Sequence, residues 1–445
     1  MEETEARWTA DQVLALAPDT ASRTAGARLA APAPWSGTGA SRTAVWGLCA
    51  GSGSRPYQTA VDLTGPAFAC SCPSRKFPCK HALGLLLLWA AGDGGPVPEG
   101  AAEPEWAEQW TAARRKKAAE AAASAPPPVP GQAGQEAARK RADRRAVRVE
   151  GGAAELEQRL TDLLRGGLAG SDRAGYQQWD EIAARMVDAQ APGLATRVRE
   201  LGAVAGSGGD WPSRMLEETG LLHLLARGFL GRQRLPAPLA ETVRTRIGFT
   251  VDSAELLAGP LVRGQWLVLA QYDSADERLT TRRIWLYDGA SGRFALVLSF
   301  GAAGRAPELA LPVGSVLDAE VAFHPAAVPL RAVLGARYGT GLPEAVPSGI
   351  GVGQALDSYG TALADDPWLD AWPVLLTDVV PLPGRDRWHV ADATGDAAVP
   401  LLGSQHWRLA AISGGHPVTL FAEAGATGLR PLAGWTRASP RPIPL

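Results

Sequence analysis

The first ninety residues contain short apolar segments, some with the period of a helix and others with the period of a strand. Thr9 and Gln12 have capping-box spacing and precede a small apolar group, so a short helix is predicted to begin there. A second short helix is expected between Pro18 and Pro32. Residues 43–65 then predict two strands that are joined by a glycine-serine turn.

A third extended piece at 67–72 and a helix at 79–92 follow these strands. The helix is apolar around most of its circumference, so it is expected to be buried. Gly92 suits the position that ends it. The pattern therefore predicts a small ββα module over 40–92, within an N-terminal domain that spans 1–92.

The amino-acid composition changes over residues 93–152. Proline- and glycine-rich stretches alternate with alanine-rich and basic runs, which predicts a flexible, basic Pro/Ala-rich linker. Between 111 and 150, ten Lys or Arg residues stand against four acidic ones. The interpretation as a solvated linker is favoured, and an electrostatic tether for nucleic acid or an acidic partner is the alternative.

Helical periodicity returns over 153–246, where leucine-rich stripes predict a small helical domain. Residues 247–445 predict a β-rich region, because short alternating segments are separated by turn-forming residues and interrupted by a helical insert near 351–366. Such strands favour a barrel- or sandwich-like fold, of one domain or two. The expected fold class is thus α+β and multidomain.

Composition narrows the class of protein. The chain has 445 residues, room for two to four domains, and a formal net charge of −2, so its overall charge does not indicate a nucleic-acid partner. Its first residues lack the apolar core of a secretory signal, and its longest apolar run is shorter than the roughly 20 residues of a membrane span. Four cysteines in so long a chain do not suggest a disulfide framework. We expect a cytoplasmic protein without membrane association.

The strongest chemical signal is the spacing C-x-C-x6-C-x-H, formed by Cys70, Cys72, Cys79 and His81. Residues i and i+2 of an extended chain point to the same side, so the first two sulfurs can face one ion. The second pair enters a helix N-terminus, where free N–H groups stabilise a thiolate. Three thiolates and one imidazole complete a tetrahedral zinc site, so one structural zinc is predicted. Cys49 is expected to be a core cysteine.

This pattern resembles the SWIM-type zinc finger family, in which C-x-C and C-x-H pairs sit on a strand–strand–helix frame. The resemblance covers residues 40–92 and suggests a protein of the bacterial, stand-alone type. It implies DNA binding or protein–protein contact without choosing between them. Bacterial stand-alone members look like partners of AAA+ ATPases and von Willebrand A-type proteins, so such a partner is a further expectation.

Two classes of function therefore compete. In the first, basic residues of the N-terminal module bind the phosphates of a nucleic acid. The candidate phosphate or partner contacts are Arg42, Arg55, Arg75, Lys76 and Lys80. In the second, the protein is an adaptor or scaffold for an AAA+ or von Willebrand A-type partner and has no nucleic-acid role.

The rest of the chain yields no catalytic motif. No dinucleotide fingerprint, nucleophile elbow or H-E-x-x-H motif occurs, so we expect neither an enzyme nor a small-molecule substrate. Trp388, Trp407 and Trp435 are spaced through the last β segments. They are expected to be core or interface anchors, and a base-stacking face on an OB-like barrel is the alternative.

Overall fold

The N-terminal module contains an antiparallel sheet of four strands in the order β1-β2-β3-β4. Its helices are Ala10–Ala15 (α1), Thr20–Arg28 (α2) and Lys80–Ala90 (α3), and its strands are Trp35–Ala40 (β1), Ala44–Cys49 (β2), Tyr57–Asp62 (β3) and Ala67–Cys70 (β4). This computed structural model describes residues 7–445 except 52, 54, 65–66, 75, 77, 93–94, 124–131, 169–174, 205–207, 209, 276–278, 303–306, 308 and 437.

The predicted pieces of this module are present, with one additional strand. The capping box forms, because the Gln12 N–H donates to Thr9 Oγ1 at 3.2 Å and the Thr9 N–H donates to Gln12 Oε1 at 2.8 Å. Strand β1 was not expected, since WSGTGA contains two glycines and no apolar alternation. It nevertheless pairs with β2, and Gly39 lies so close to the Trp46 ring that a Cβ would stand 2.7 Å from it.

Helix α3 is the centre of the module. Every residue from His81 to Trp89 is buried, as the all-round apolar pattern predicts. It packs against Val13 and Leu16 of the α1 region and against Val45 and Val61 of the sheet. Each fully buried leucine contributes about 2 kcal/mol.

Two helices occupy much of the segment expected to be a flexible linker. They are Glu105–Ala123 (α4) and Gln132–Gly166 (α5). Ala107 of α4 is fully buried and packs with Trp46 and Ala60 of the finger sheet, and Trp106 and Trp110 flank this contact. The first part of the segment therefore belongs to the N-terminal module, because its apolar residues recur at helical spacing within an otherwise polar sequence.

A helical bundle follows, as predicted for the middle of the chain. Besides α5, its helices are Gly175–Asp188 (α6), Pro192–Val204 (α7), Trp211–Leu230 (α8) and Ala237–Ile247 (α9), and a short helix Ser253–Leu257 (α10) follows it. The bundle core begins at Val149, four residues before the predicted boundary, and continues along α5 through Leu156 and Leu160. Met215 and Phe229 of α8 are fully buried in the same core.

The β-rich region consists of a barrel and a separate sheet. The barrel strands are Val262–Ala275 (β5), Leu279–Asp288 (β6), Arg293–Ala302 (β7), Val316–Phe323 (β8) and Arg331–Gly341 (β9). They close in the order β5-β6-β7-β9-β8, with β7 and β9 parallel. This is the topology of an OB-type barrel, so the predicted barrel-like fold is found for this half of the region.

The last unit is a six-stranded sheet in the order β12-β11-β10-β13-β14-β15. Its strands are Trp372–Leu382 (β10), His389–Asp392 (β11), Ala398–Pro400 (β12), Val418–Gly425 (β13), Gly428–Trp435 (β14) and Ile443–Pro444 (β15), and its helices are Val352–Asp365 (α11) and His406–Ser413 (α12). Helix α11 is the predicted helical insert. The alternation along β10 buries both faces: Val374 and Leu376 join the core of α11 and α12, while Leu375 faces the barrel.

The barrel uses the same alternation. Trp266 and Val268 of β5 fill its interior, whereas Leu267 and Leu269 pack against the six-stranded sheet. Among the helices that the structure describes, none combines the length and apolar character that crossing a membrane requires.

Candidate metal centre

The four predicted metal ligands come together at one point of the N-terminal module. One ligand atom from each of Cys70, Cys72, Cys79 and His81 lies within 4.8 Å of the others. Cys79 is 1 % and His81 5 % exposed, while the two other sulfurs are partly buried. Within the described part of the chain, this is the group of His, Cys, Asp and Glu side chains that can hold a metal ion.

The local fold explains the convergence. Cys70 ends β4, where the strand register pairs it with Thr59 of β3. Cys72 follows two residues later in the loop. Cys79 is the N-cap of α3, and no side chain caps the helix there. His81 therefore lies on the first turn of α3, whose N–H groups and dipole favour negatively charged sulfur.

The close approach of the thiols shifts the pKa values of Cys70 and Cys79 in opposite directions. The pKa of Cys70 is lowered to about 3, chiefly because the Cys79 thiol donates a hydrogen bond to it, with further donors in His81, Thr59 and the Cys72 N–H. The same contact, together with burial, raises the pKa of Cys79. One sulfur thus collects donors as a thiolate would, whereas a bound metal ion would require all three sulfurs as thiolates.

The geometry fits a zinc ion. Tetrahedral zinc binds sulfur at about 2.3 Å and imidazole nitrogen at about 2.0 Å, which places ligand atoms about 3.5–3.8 Å apart. Cys70 Sγ and His81 Nδ1 are 3.7 Å apart. Four protein donors would leave no open position, so the set is consistent with one structural zinc.

Two neighbours of the site were not anticipated from sequence. Thr59 is fully buried, and its Oγ1 lies 3.3 Å from Cys70 Sγ. The Tyr57 ring lies 4.9 Å from the His81 ring, between centroids. An alignment of β3 with β4 as a hairpin would have placed Thr59 beside Cys70. Cys49 is fully buried and lies outside the ligand group, as expected for a core cysteine.

Of the five basic residues proposed as phosphate or partner contacts, the four that the structure describes lie on three different loops and at the first residue of α3. Lys76 pairs with Asp19 at 2.6 Å, and Arg42 stands at the β1–β2 turn. That turn is at the opposite end of β2 from Cys49, about 17–20 Å away. Arg55 and Lys80 are exposed. Arg75 lies outside the described residues.

A groove runs beside the metal centre. It has a volume of about 620 Å³ and is bounded by α2, the β2–β3 loop and the ligand loop. Ala21, Ala25 and Tyr57 line it together with Cys72 and His81 of the ligand set.

Comparison with protein families agrees with this centre. A family model of the SWIM zinc finger matches residues 69–90, which contain all four proposed ligands. A second model, of a SWIM-associated four-helix bundle domain, matches residues 144–247, which run from the middle of α5 to the end of α9. The chain contains a SWIM-type zinc finger and its associated bundle domain. No curated protein and no solved structure matches it.

The bundle match gives this SWIM-type protein a second recognised domain. Its limits agree with the bundle core, whose buried residues run from Val149 to Ile247, with Trp368 added from a later segment. Residues 1–68, 91–143 and 248–445 lie outside both matches. SWIM zinc fingers and their associated bundles are typically interaction modules, and a zinc-binding interaction module is the function that the two matches support.

The barrel does not present the base-stacking surface considered from sequence. OB-type barrels bind oligonucleotides across their second and third strands, here β6 and β7. Trp285 of β6 is fully buried, and its neighbours Tyr287 and Phe294 pack against Leu375 and Phe421 of the C-terminal sheet. The sheet therefore covers this face. Trp435 is an interface anchor at 1 % exposure, whereas Trp407 is 75 % exposed.

Proposed function

We propose that this SWIM-type protein is a non-enzymatic cytoplasmic adaptor, and that its zinc-stapled module docks a protein partner in the groove beside the metal centre. The observation that carries the proposal is the composition of the groove wall. Cys72 and His81 line the groove and also belong to the ligand set, so zinc binding would fix the shape of the docking surface.

The shape of the groove favours a peptide segment. Small side chains at Ala21, Ser22 and Ala25 open one wall, and the Tyr57 ring offers a flat apolar contact. A few residues of an extended chain fit such a space, and an aromatic contact of this kind commonly anchors protein interfaces.

The charge of the groove favours an acidic segment. Lys80 lines it, and Arg55 stands in the loop whose residues Ala50 and Gly51 form its edge. Among the described residues, none that lines it carries a carboxylate. Opposite charge at an interface rim speeds association and excludes like-charged partners. An acidic stretch of an AAA+ ATPase or a von Willebrand A-type protein, the partners implied by the family resemblance, is the occupant that we propose.

A competing role for the finger in nucleic-acid binding has less support. Of the four described basic residues proposed for it, Arg42 lies at the end of β2 away from the groove, and Lys76 already has a carboxylate partner in Asp19. Phosphate recognition needs several cations on one surface.

The test is capture by the tagged full-length protein from a nuclease-treated extract, scored for AAA+ and von Willebrand A-type proteins. Ala25→Trp should fill the groove and Lys80→Glu should reverse its charge, so both should lose the partner. Ala27→Trp is the matched control, because Ala27 is exposed on α2 and does not line the groove. Retention of the partner by both groove variants, or recovery only without nuclease, would contradict the proposal.

A further inference from the structure

Helix α5 extends beyond the bundle that it helps to build. It has 35 residues, so it is about 50 Å long, yet its first buried core residue is Val149. Every side chain described between 136 and 144 is exposed: Glu136, Lys140, Arg141, Ala142, Asp143 and Arg144. The N-terminal 13 residues, about 20 Å of helix, therefore have no packed face among the described residues.

This extension concentrates positive charge. Residues 139–148 contain six Lys or Arg residues and a single acid, Asp143, although the whole chain has a net charge of −2. Arg141, Arg144, Arg145 and Arg148 are spaced so that they share one side of the helix. We call these four residues the arginine stripe.

The partners of the arginine stripe are neutral oxygens. The guanidinium of Arg144 donates to the Lys140 carbonyl at 3.2 Å, that of Arg145 to the Gly248 carbonyl at 2.9 Å, and that of Arg148 to Gln190 Oε1 at 2.8 Å. No carboxylate among the described residues forms an ion pair with any of the four. An incoming anion would therefore not have to displace an existing ion pair.

Other arginines of the bundle differ in this respect. Arg159 and Arg185 both contact Glu155, at 2.9 and 2.8 Å, and Arg227 lies 3.7 Å from Glu157. These arginines of the bundle are thus paired with carboxylates. The contacts of the stripe hold its guanidiniums in place but do not neutralise their charge. This segregation indicates a surface whose charge is available for binding.

The stripe lies next to the end of α9 at a shared aromatic ring. The guanidiniums of Arg145 and Arg244 lie 4.5 and 4.8 Å from the centre of the same Phe249 ring. Arg244 also lies 3.4 Å from a carboxylate oxygen of Glu241, so it is an ion-paired neighbour of the stripe and not a part of it. Arginine suits phosphate in particular, because its planar fork can donate two parallel hydrogen bonds.

We propose that the arginine stripe binds the phosphate backbone of duplex DNA without reading its sequence. A straight, exposed helix with a regular row of arginines matches an extended polyanion better than it matches the mixed surface of a folded protein. This surface is separate from the groove beside the metal centre, so the adaptor and DNA-binding proposals stand or fall independently.

The experiment measures binding of the full-length protein to a fluorescent 20-base-pair duplex DNA of arbitrary sequence between 50 and 200 mM salt. The triple variant Arg141→Gln/Arg144→Gln/Arg148→Gln should bind at least tenfold more weakly at the lower salt concentration. The slope of its salt dependence should fall by about one for each phosphate that the variant no longer neutralises. The control is Arg159→Gln/Arg185→Gln/Arg227→Gln, which has the same net charge and should bind within about twofold of the wild type.

The outcomes separate the alternatives. Thermal unfolding should be unchanged in the stripe variant, because the three residues are exposed. Absence of wild-type binding at 50 mM salt, or equal weakening in both triple variants, would overturn the proposal. It would also be overturned if polyglutamate of equal charge, or an RNA duplex, bound tenfold more tightly than the DNA. Partner capture in nuclease-treated extract should survive in the stripe variant.

Discussion

The indole nitrogen of Trp285 donates a hydrogen bond to the carboxylate of Glu423 at 2.7 Å, across the interface between the barrel and the C-terminal sheet. Both side chains are buried, Trp285 completely and Glu423 to 6 % exposure. The Tyr272 hydroxyl donates to the same carboxylate oxygen at 2.6 Å. Burial, followed by the charge and hydrogen bond of Glu423, raises the pKa of Tyr272.

This contact determines what the barrel can do. Trp285, Tyr287 and Phe294 of β6 and β7 lie on the face where an oligonucleotide-binding barrel would stack bases, and they form an internal interface instead, whereas Phe300 of β7 is 49 % exposed. A buried carboxylate with two donors holds the C-terminal sheet in one position over them. Binding of a nucleic acid on this face would require separation of the two β units.

Removal of the carboxylate should destabilise this interface. Glu423→Ala leaves the Tyr272 hydroxyl and the Trp285 N–H buried without an acceptor, so we expect a loss of about 2–4 kcal/mol in the free energy of unfolding. Glu423→Gln keeps an acceptor and should cost less. Urea unfolding followed by tryptophan fluorescence measures both. Glu344→Ala, at an exposed position, is the control, and an equally small effect of all three variants would count against this contact.

Trp368 should couple the C-terminal unit to the helical bundle. It lies just after α11 but is buried to 4 % exposure in the bundle core, and its indole N–H donates to the Leu221 carbonyl at 2.8 Å. Trp368→Ala should cost about 3–5 kcal/mol and increase amide exchange in α8. Trp407→Ala is the matched control, because Trp407 is 75 % exposed, and it should change stability by less than about 0.5 kcal/mol. Similar losses in the two variants would refute this role.

Stability should fall as the pH drops below 6.5. His324 is 8 % exposed, and burial, aided by the charge of Arg331, lowers its pKa to about 4. Its neutral form is therefore favoured in the folded state, whereas the unfolded chain takes up a proton near pH 6.5. The stabilisation is present above pH 6.5 and is lost progressively down to about pH 4, with a total of about 3 kcal/mol. His324→Gln should lose less stability between pH 7 and pH 5 than the wild type, and an unchanged pH dependence would show that His324 is not the cause.

Local sequence patterns were sufficient for the elements that form the metal centre. The capping box at Thr9, the all-apolar helix α3 and the spacing of the four ligands each depend on neighbours a few residues away. Such short-range constraints act before tertiary contacts form. The helical stripes of the bundle and the helical insert at α11 could be predicted for the same reason.

Elements that depend on distant partners could not be predicted in this way. Strand β1 is stabilised by its pairing with β2, despite its glycines, and α4 by burial of Ala107 against Trp46. The ion pair between Arg246 and Asp366, at 2.7 Å, joins residues 120 positions apart. The scattering of the basic residues around the finger likewise follows from the register of the sheet. Periodicity contains no information on which segments meet across the fold.

Loss of the metal should destabilise the N-terminal module before the rest of the chain. Zinc binding to a closed site of this kind contributes directly to folding, so Cys72→Ser/Cys79→Ser should increase amide exchange throughout α3. The bundle core at Leu156 and Leu160 should keep its protection, because it contains no residue of the finger. Partial effects on the barrel are expected, since Gln12 Nε2 donates to the Val313 carbonyl at 2.9 Å. Uniform loss of protection over the whole chain would contradict this order.

The most direct test of the metal centre is the zinc content of the purified protein. We expect one zinc per chain in the wild type and in Cys49→Ser, because Cys49 lies outside the ligand group. Cys72→Ser/Cys79→Ser should contain none, since two of four ligands are removed. Wild-type protein without zinc, or a double variant that retains a full equivalent, would contradict a structural zinc held by Cys70, Cys72, Cys79 and His81.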